Sequence, residues 1–376
     1  MRKIEMVDLK QQYQKLKHEI YASVLSVLES SAFINGPQVQ SFASSLAAYH
    51  NTKHVIPCAN GTDALQIAMM ALDLKPGDEV ITPSFTYIAT TEVIALLGLT
   101  PVFVDVDADS FCIDAAKIEA AVTERTKAIV PVHLYGQAAD MEKIMAIAKR
   151  HNLFVIEDNA QSIGCDYYFS KGEKRKTGTI GTIGTTSFFP SKNLGAYGDG
   201  GAITTEDDVL AEKLKMIVNH GQSKKYYHDI VGCNSRLDTI QAAILEIKLK
   251  HLDEFIDARR AVADYYDKAL AAHGAVKTPV RSPNSRHVFH QYTLQLEGVD
   301  RYRLQDYLAA RNIPSMIYYP VPAHKQKMFE HFGSSQMHLP VTDLLTHRVI
   351  SLPIHTEMDE EQLRYITTNI LDFLNK

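Results

Sequence analysis

Apolar residues change their spacing several times along this chain, and the changes mark its elements. From about Lys53 to Thr205, short strand-like runs alternate with helical patterns. Val55–Cys58 leads through the turn Asn60-Gly61-Thr62-Asp63 into a helix over Ala64–Leu72. Glu79–Thr82 leads through Pro83–Tyr87 into a helix over Ile88–Leu97. Further strands fall at Pro101–Val106, Ala128–His133 and Leu153–Asp158, with a helix starting near Asp140. Thr185–Phe189 and Gly201–Thr205 read as a final pair. Short apolar strands separated by helices predict an α/β fold, a mostly parallel sheet covered on both faces. Ligands bind such sheets beyond the carboxyl ends of the strands.

After Thr205 the pattern changes. Leu237–Leu252 has one apolar face at helical spacing and continues, after a bend, through Ala258–Leu270. Then come a strand over Tyr292–Leu296, a helix over Arg301–Arg311, a strand over Ser315–Tyr319 and a terminal helix over Glu360–Leu374. The chain of 376 residues exceeds what one core usually organises. The expected division is an N-terminal arm or helix over 1–30, a large domain over 31–252 and a smaller α+β domain over 253–376.

Composition narrows the function class. A formal charge of −5 gives no electrostatic case for nucleic acid or an anionic membrane. No apolar run is long enough to span a bilayer and no signal peptide follows Met-Arg-Lys, so a cytoplasmic protein is expected. Four scattered cysteines, Cys58, Cys112, Cys165 and Cys233, read as free thiols. His287 and His290 form the nearest approach to a metal pair, but no acidic or cysteine partner completes it, and no metal is expected.

Lys192 is the sharpest chemical feature. It follows the apolar pair Phe188-Phe189 and precedes a run of glycines. A lysine held partly out of water sheds its proton more easily, and an uncharged amine can bond an aldehyde carbon. The plain alternative is a surface lysine. Asp158 closes an apolar strand 34 residues earlier and is either a helix cap or the partner of a buried cation. Gly61 and Thr62 precede a helix whose start favours an anion, or they form an ordinary cap. Ser187 is a second candidate anion donor, and Tyr87 is an aromatic at another strand end.

These segments carry a resemblance over nearly the whole chain. Asn60–Leu65, Pro83–Thr90, Pro131–Gln137, Ile156–Ser162, Ser187–Gly195 and Asn234–Asp238 together are similar to the DegT-type nucleotide-sugar aminotransferases, fold-type I enzymes of pyridoxal 5'-phosphate. The resemblance implies that Lys192 bonds the cofactor's aldehyde, Asp158 binds its ring nitrogen and Gln161 contacts its phenolic oxygen. It implies that Gly61, Thr62 and Ser187 hold the phosphate, with Asp63 in the same cofactor-binding turn, and that Tyr87 stacks on the ring. It implies a homodimer with shared active sites, Asn234 reaching the neighbour's phosphate, and L-glutamate as amino donor. The acceptor side resembles enzymes for UDP-linked 3-oxo-N-acetylglucosaminuronate, with a 4-oxo sugar as the alternative acceptor. Arg236, Tyr318 and Tyr319 are the candidate substrate contacts. Many relatives have His-Tyr-Pro where this chain has Tyr318-Tyr319-Pro320, and tyrosine supplies no cation at neutral pH. Rival readings are a dehydratase, in which histidine replaces the lysine, a desulfurase built on Cys233, and a non-catalytic regulator that binds the cofactor.

Overall fold

A computed structural model describes all 376 residues, Met1–Lys376. Two helices open it, α1 (Leu9–Ser30) and α2 (Pro37–His50). Asp8 fixes the start of α1 by accepting from the Gln11 N–H at 3.0 Å. Strands β1 (His54–Cys58), β2 (Glu79–Pro83), β3 (Thr100–Val104), β4 (Thr126–Ile129) and β5 (Phe154–Asp158) alternate with helices α3 (Gly61–Ala71), α4 (Ala89–Leu96), α5 (Ala115–Ala121) and α6 (Met141–His151). A hairpin of β6 (Asp166–Tyr168) and β7 (Lys174–Lys176) precedes β8 (Ile183–Ser187) and β9 (Gly201–Thr205).

Seven of these strands form one sheet in the order β1-β9-β8-β5-β4-β2-β3. Strands β8, β5, β4, β2 and β3 pair in parallel, and β9 is antiparallel to both β8 and β1. Only β9 therefore runs against the rest. The ends of β1, β2, β5 and β8 and the start of β9 all open onto the same edge. Buried side chains cover both faces. Ile81, Ile129 and Val155 join residues of α2, α6 and α8 (Thr239–Lys250) on one side. Val80, Ala128 and Ile156 join α3, α4 and α7 (Asp208–Ile217) on the other. Alternate residues of one strand thus feed opposite cores, the pattern of a sheet buried on both faces.

The remainder comprises a small hairpin, β10 (Gln222–Lys224) with β11 (Tyr227–His228), and a helix α9 (Leu252–Leu270) separated from α8 by His251 alone. Strands β12 (Val276–Lys277), β13 (Tyr292–Leu296) and β14 (Val349–Leu352) form a three-stranded antiparallel sheet. Helices α10 (Arg301–Ala309), α11 (Pro340–Arg348) and α12 (Glu360–Leu374) complete the chain. Tyr266, Tyr292, Leu304 and Ile366 share the core beneath this second sheet.

Two expectations need correction. Ser315–Tyr319 is not a strand. Only Met316 bridges to Ser351, and Tyr318-Tyr319 leave the sheet to line a cleft. Pro314 and Pro320, which lack an N–H, bracket the segment and stop a ladder from extending past either end. The helix expected from Ala64 begins at Gly61, with Asn60 as its cap. Gly61, Thr62 and Asp63 are therefore its first turn, not a loop before it. The basic segment after Tyr168 lies in the β6–β7 hairpin, where Lys174 and Lys176 face Asp166.

A buried acid anchors the strand beside the cleft. Glu157 is fully buried, and its carboxylate accepts N–H bonds from Gly178, Ile180 and Gly181 at 2.6–2.8 Å. His133 Nδ1 accepts from the Ala139 N–H at 3.1 Å, so the ring proton sits on Nε2 and is donated to Glu157 at 2.8 Å. Burial pushes the Glu157 pKa up, but the His133 contact and the backbone donors outweigh it and hold the acid below its ordinary range. An acid depressed on folding stabilises above its unfolded pKa, and the benefit disappears as pH falls through the folded value. Glu157→Leu strands four donors inside the fold. We expect it to lose about 3–5 kcal/mol in denaturant unfolding at neutral pH. A loss under 1 kcal/mol would contradict this role.

Candidate active site

Strand ends build one cleft of about 480 Å³ at the shared edge of the main sheet. The turn after β1 supplies Asn60, Gly61 and Thr62; the end of β2 supplies Thr86 and Tyr87; the end of β5 supplies Asp158 and Gln161; and β8 with its following loop supplies Ser187 and Lys192. His290, Gln291, Tyr318 and Tyr319 come from the C-terminal part and close the other wall. Residues far apart in sequence meet here because each ends a strand on the same edge.

Lys192 is partly buried in this cleft. Burial lowers its pKa to about 8, while the negative charge of Asp158 pulls it back up. About a tenth of the side chains are thus uncharged amines at pH 7, far more than for an ordinary lysine, and that is the state a nucleophile or proton acceptor requires. Asp158 is only 4% exposed. Its Oδ2 accepts from the Thr90 hydroxyl at 2.7 Å and its Oδ1 from the Ala160 N–H at 3.1 Å. No protein cation pairs with it, so the carboxylate is oriented but left free to meet a positive group.

The opposite end suits an anion. Asn60 caps α3 by accepting from the Asp63 N–H at 2.8 Å, which leaves the earlier amides of the first turn unused by the cap. A Cβ at Gly61 would stand 2.6 Å from Ser187 Cβ and 3.1 Å from Ser187 Cα. Glycine lets the helix start and the end of β8 close into one cradle. Asp63 does not line the cleft. Its N–H is tied to Asn60, and its charge raises the pKa of Cys58 and Cys233 instead.

Tyr87 is 56% exposed at the mouth. The Gln161 Oε1 accepts from the Tyr135 N–H at 2.8 Å, and its Nε2 donates to the Tyr319 hydroxyl at 3.0 Å. Tyr135 donates its hydroxyl to the Tyr318 carbonyl. Burial raises the pKa of both Tyr318 and Tyr319, which keeps the phenols neutral. Asn234 and Arg236 lie outside the main cleft, in an adjoining hollow that shares Asn60 and Asp199 with it. Nothing in the sequence marks Thr90 or His290 as a site residue. A threonine inside a helix gives no sign of its partner. His290 drew notice only as half of a metal pair, yet it is a buried imidazole kept neutral by burial, Lys192 and Arg259. Cys233 makes a poor nucleophile, since burial and Asp63 both raise its pKa.

A free carboxylate, a partly buried amine and a helix-start cradle in one cleft fit the three ends of pyridoxal phosphate: ring nitrogen, aldehyde and phosphate. The comparisons agree. The profile of the DegT/DnrJ/EryC1/StrS aminotransferase family matches residues 14–371. A "pleiotropic regulatory protein" of Geobacillus stearothermophilus is 49% identical, with 98% of each chain covered. The UDP-N-acetyl-3-dehydro-alpha-D-glucosamine 3-aminotransferase of Acidithiobacillus ferrooxidans is 46% identical over 98% of this chain and 97% of its own. The UDP-2-acetamido-2-deoxy-3-oxo-D-glucuronate aminotransferase of Pseudomonas aeruginosa is also 46% identical, over 96% and 98%. A solved aminotransferase from Brucella abortus superposes with a TM-score of 0.94 at 41% identity, covering 99% of this chain and all of its own. NtdA of Bacillus subtilis, solved with bound cofactor PMP, gives 0.92 at 32% identity, covering all of this chain and 86% of its own. The chain belongs to the DegT/DnrJ/EryC1/StrS aminotransferase family and is a pyridoxal-phosphate-dependent aminotransferase.

Proposed function

We propose that this enzyme transfers the amino group of L-glutamate to the C3 ketone of a nucleotide-linked sugar, in amino-sugar or surface-polysaccharide biosynthesis. One observation carries the chemistry: an amine with a pKa near 8 shares a cleft with a buried carboxylate that no protein cation neutralises. The acceptor class rests on the two relatives of equal identity, whose names both specify a 3-oxo or 3-dehydro sugar. The 4-oxo sugar is the second choice.

Pyridoxal phosphate, when bound, supplies an electrophilic carbon and a ring that accepts the electron pair of a breaking C–H bond. The chain does the rest. Asp158, oriented by Thr90 and Ala160, would hold the proton of the ring nitrogen. Gly61, Thr62 and Ser187 would bind the phosphate with amides and hydroxyls. Gln161, fixed by Tyr135, would contact the phenolic oxygen, and Tyr87 would lie against the ring. Lys192 Nζ would accept and return the proton of the breaking C–H bond, a task suited to a group that titrates near the working pH. Tyr318 and Tyr319 offer neutral hydroxyls to the sugar.

Within this reading the active unit is a homodimer. Phe33, Ile34, Phe189 and Val231 are 44–83% exposed, apolar side chains that a second copy would cover. Asn234 and Arg236 then serve the neighbour's cleft, Asn234 at the phosphate and Arg236 at the substrate. The segments 31–252 and 253–376 form the large and small domains, and the enzyme works in the cytoplasm.

A regulatory role is the second reading, favoured by the name of the 49% identical relative. Glutamate separates the two. An aminotransferase gives a yellow solution that glutamate bleaches; a sensor does not respond. The decisive screen incubates the enzyme with glutamate and UDP- or dTDP-linked 3-oxo and 4-oxo sugars, with mass detection of the amine. We expect amination of a 3-oxo sugar. Amination of 4-oxo sugars alone would move the acceptor assignment, and no product with any would refute it.

A further inference from the structure

Lys248 is 1% exposed, in the last turn of α8 and on its buried face. Fully buried lysines are rare without a carboxylate partner, and none pairs with this one. Its ammonium instead donates to the carbonyl of Gly195, three residues after Lys192, and lies 5.2 Å from the centre of the Tyr197 ring. The neighbouring charge is Arg259, which repels it. Burial and Arg259 together lower the Lys248 pKa to about 7, and a neutral amine still donates N–H to a carbonyl.

The same helix grips the loop a second time. Gln241 accepts from the Tyr197 N–H at 2.8 Å and donates to the Tyr197 carbonyl at 3.3 Å. The loop between these grips and Lys192 is tightly closed. A Cβ at Gly195 would come within 2.3 Å of the Pro190 carbonyl, and the Ala196 N–H reaches back to Phe188 at 2.7 Å. The position of Gly195 therefore sets the turn that carries Lys192 into the cleft.

We propose that Lys248 is a positioning residue for the reaction: its amine holds the Gly195 carbonyl and so aims Lys192. This rests on the role given to Lys192 above. A misplacement of a reacting group by a fraction of an ångström lowers the rate of chemistry without changing ground-state binding.

The test uses full-length holoenzyme. Lys248→Met keeps the length and removes the donor; Lys248→Gln keeps a donor. Gln241→Leu strikes the same loop from a less buried position and serves if the lysine variants fail to fold. We expect Lys248→Met to lower kcat by about 10- to 100-fold, with both KM values within about twofold. Lys248→Gln recovers part of kcat, and Gln241→Leu lowers kcat in the same manner. In the apo form, the amine-directed labelling rate of Lys192 changes in Lys248→Met. A lowered melting temperature with unchanged kcat and Lys192 labelling would reduce Lys248 to a packing role and overturn the proposal, as would a rise in KM with kcat unchanged. Wild-type enzyme that glutamate fails to bleach would refute the donor assignment instead.

Discussion

Lys192→Ala is expected to yield a folded protein that binds pyridoxal phosphate, lacks the absorbance band at about 400 nm and turns over at least about 10³-fold more slowly. Two functions leave with one side chain. The amine that bonds the aldehyde is gone, and so is the group that carries the proton between carbons. Neither has an evident substitute. The other titratable nitrogen on the cleft wall, His290, is buried and held neutral well below its ordinary pKa, and its backbone is fixed by Arg259. Stability should survive, because the partly buried lysine makes no ion pair and its removal ends a desolvation cost. Equilibrium binding of the cofactor, an absorbance spectrum and steady-state rates check all three statements. A variant with native turnover would remove Lys192 from the chemistry.

Asp158→Asn is the second large effect. We expect kcat to fall by about 10²- to 10³-fold with the melting temperature shifted by no more than about 3 °C. Asparagine keeps the shape and an acceptor for the Ala160 N–H, and Thr90 can still bond to it. What it loses is charge. The ring nitrogen then has no anion to keep its proton, and the ring withdraws electrons less well. The half reaction with glutamate, followed as bleaching in a rapid-mixing instrument, should slow by the same factor as the full cycle. An unchanged rate would show that the buried charge is structural. A collapse in stability would show the same for its hydrogen bonds.

Much of this was legible in the sequence because the chemistry sits at strand ends. The run Leu153–Asp158 ends in a carboxylate, and Phe188-Phe189 precede the lysine; both patterns survive into the structure as β5 and the loop after β8. What one sequence does not print is which strand ends meet. The order β1-β9-β8-β5-β4-β2-β3 brings Gly61 against Ser187 across pairings that no local pattern encodes. Asparagine and glycine favour a turn by composition, but Asn60 is a cap here and α3 starts at Gly61, three residues before Ala64. Ser315–Tyr319 has the aromatic, β-branched composition of a strand, but its tyrosines satisfy the cleft rather than a ladder. Thr90, Tyr135 and Lys248 act through contacts 50 or more residues away in sequence, so their roles are tertiary by nature.

Borohydride reduction of the holoenzyme, followed by digestion and peptide mapping, tests the core of this account directly. A single ε-amino group should carry the reduced cofactor, within the peptide containing Ser191-Lys192-Asn193. Label on a different lysine, or none after reduction of a yellow sample, would contradict it.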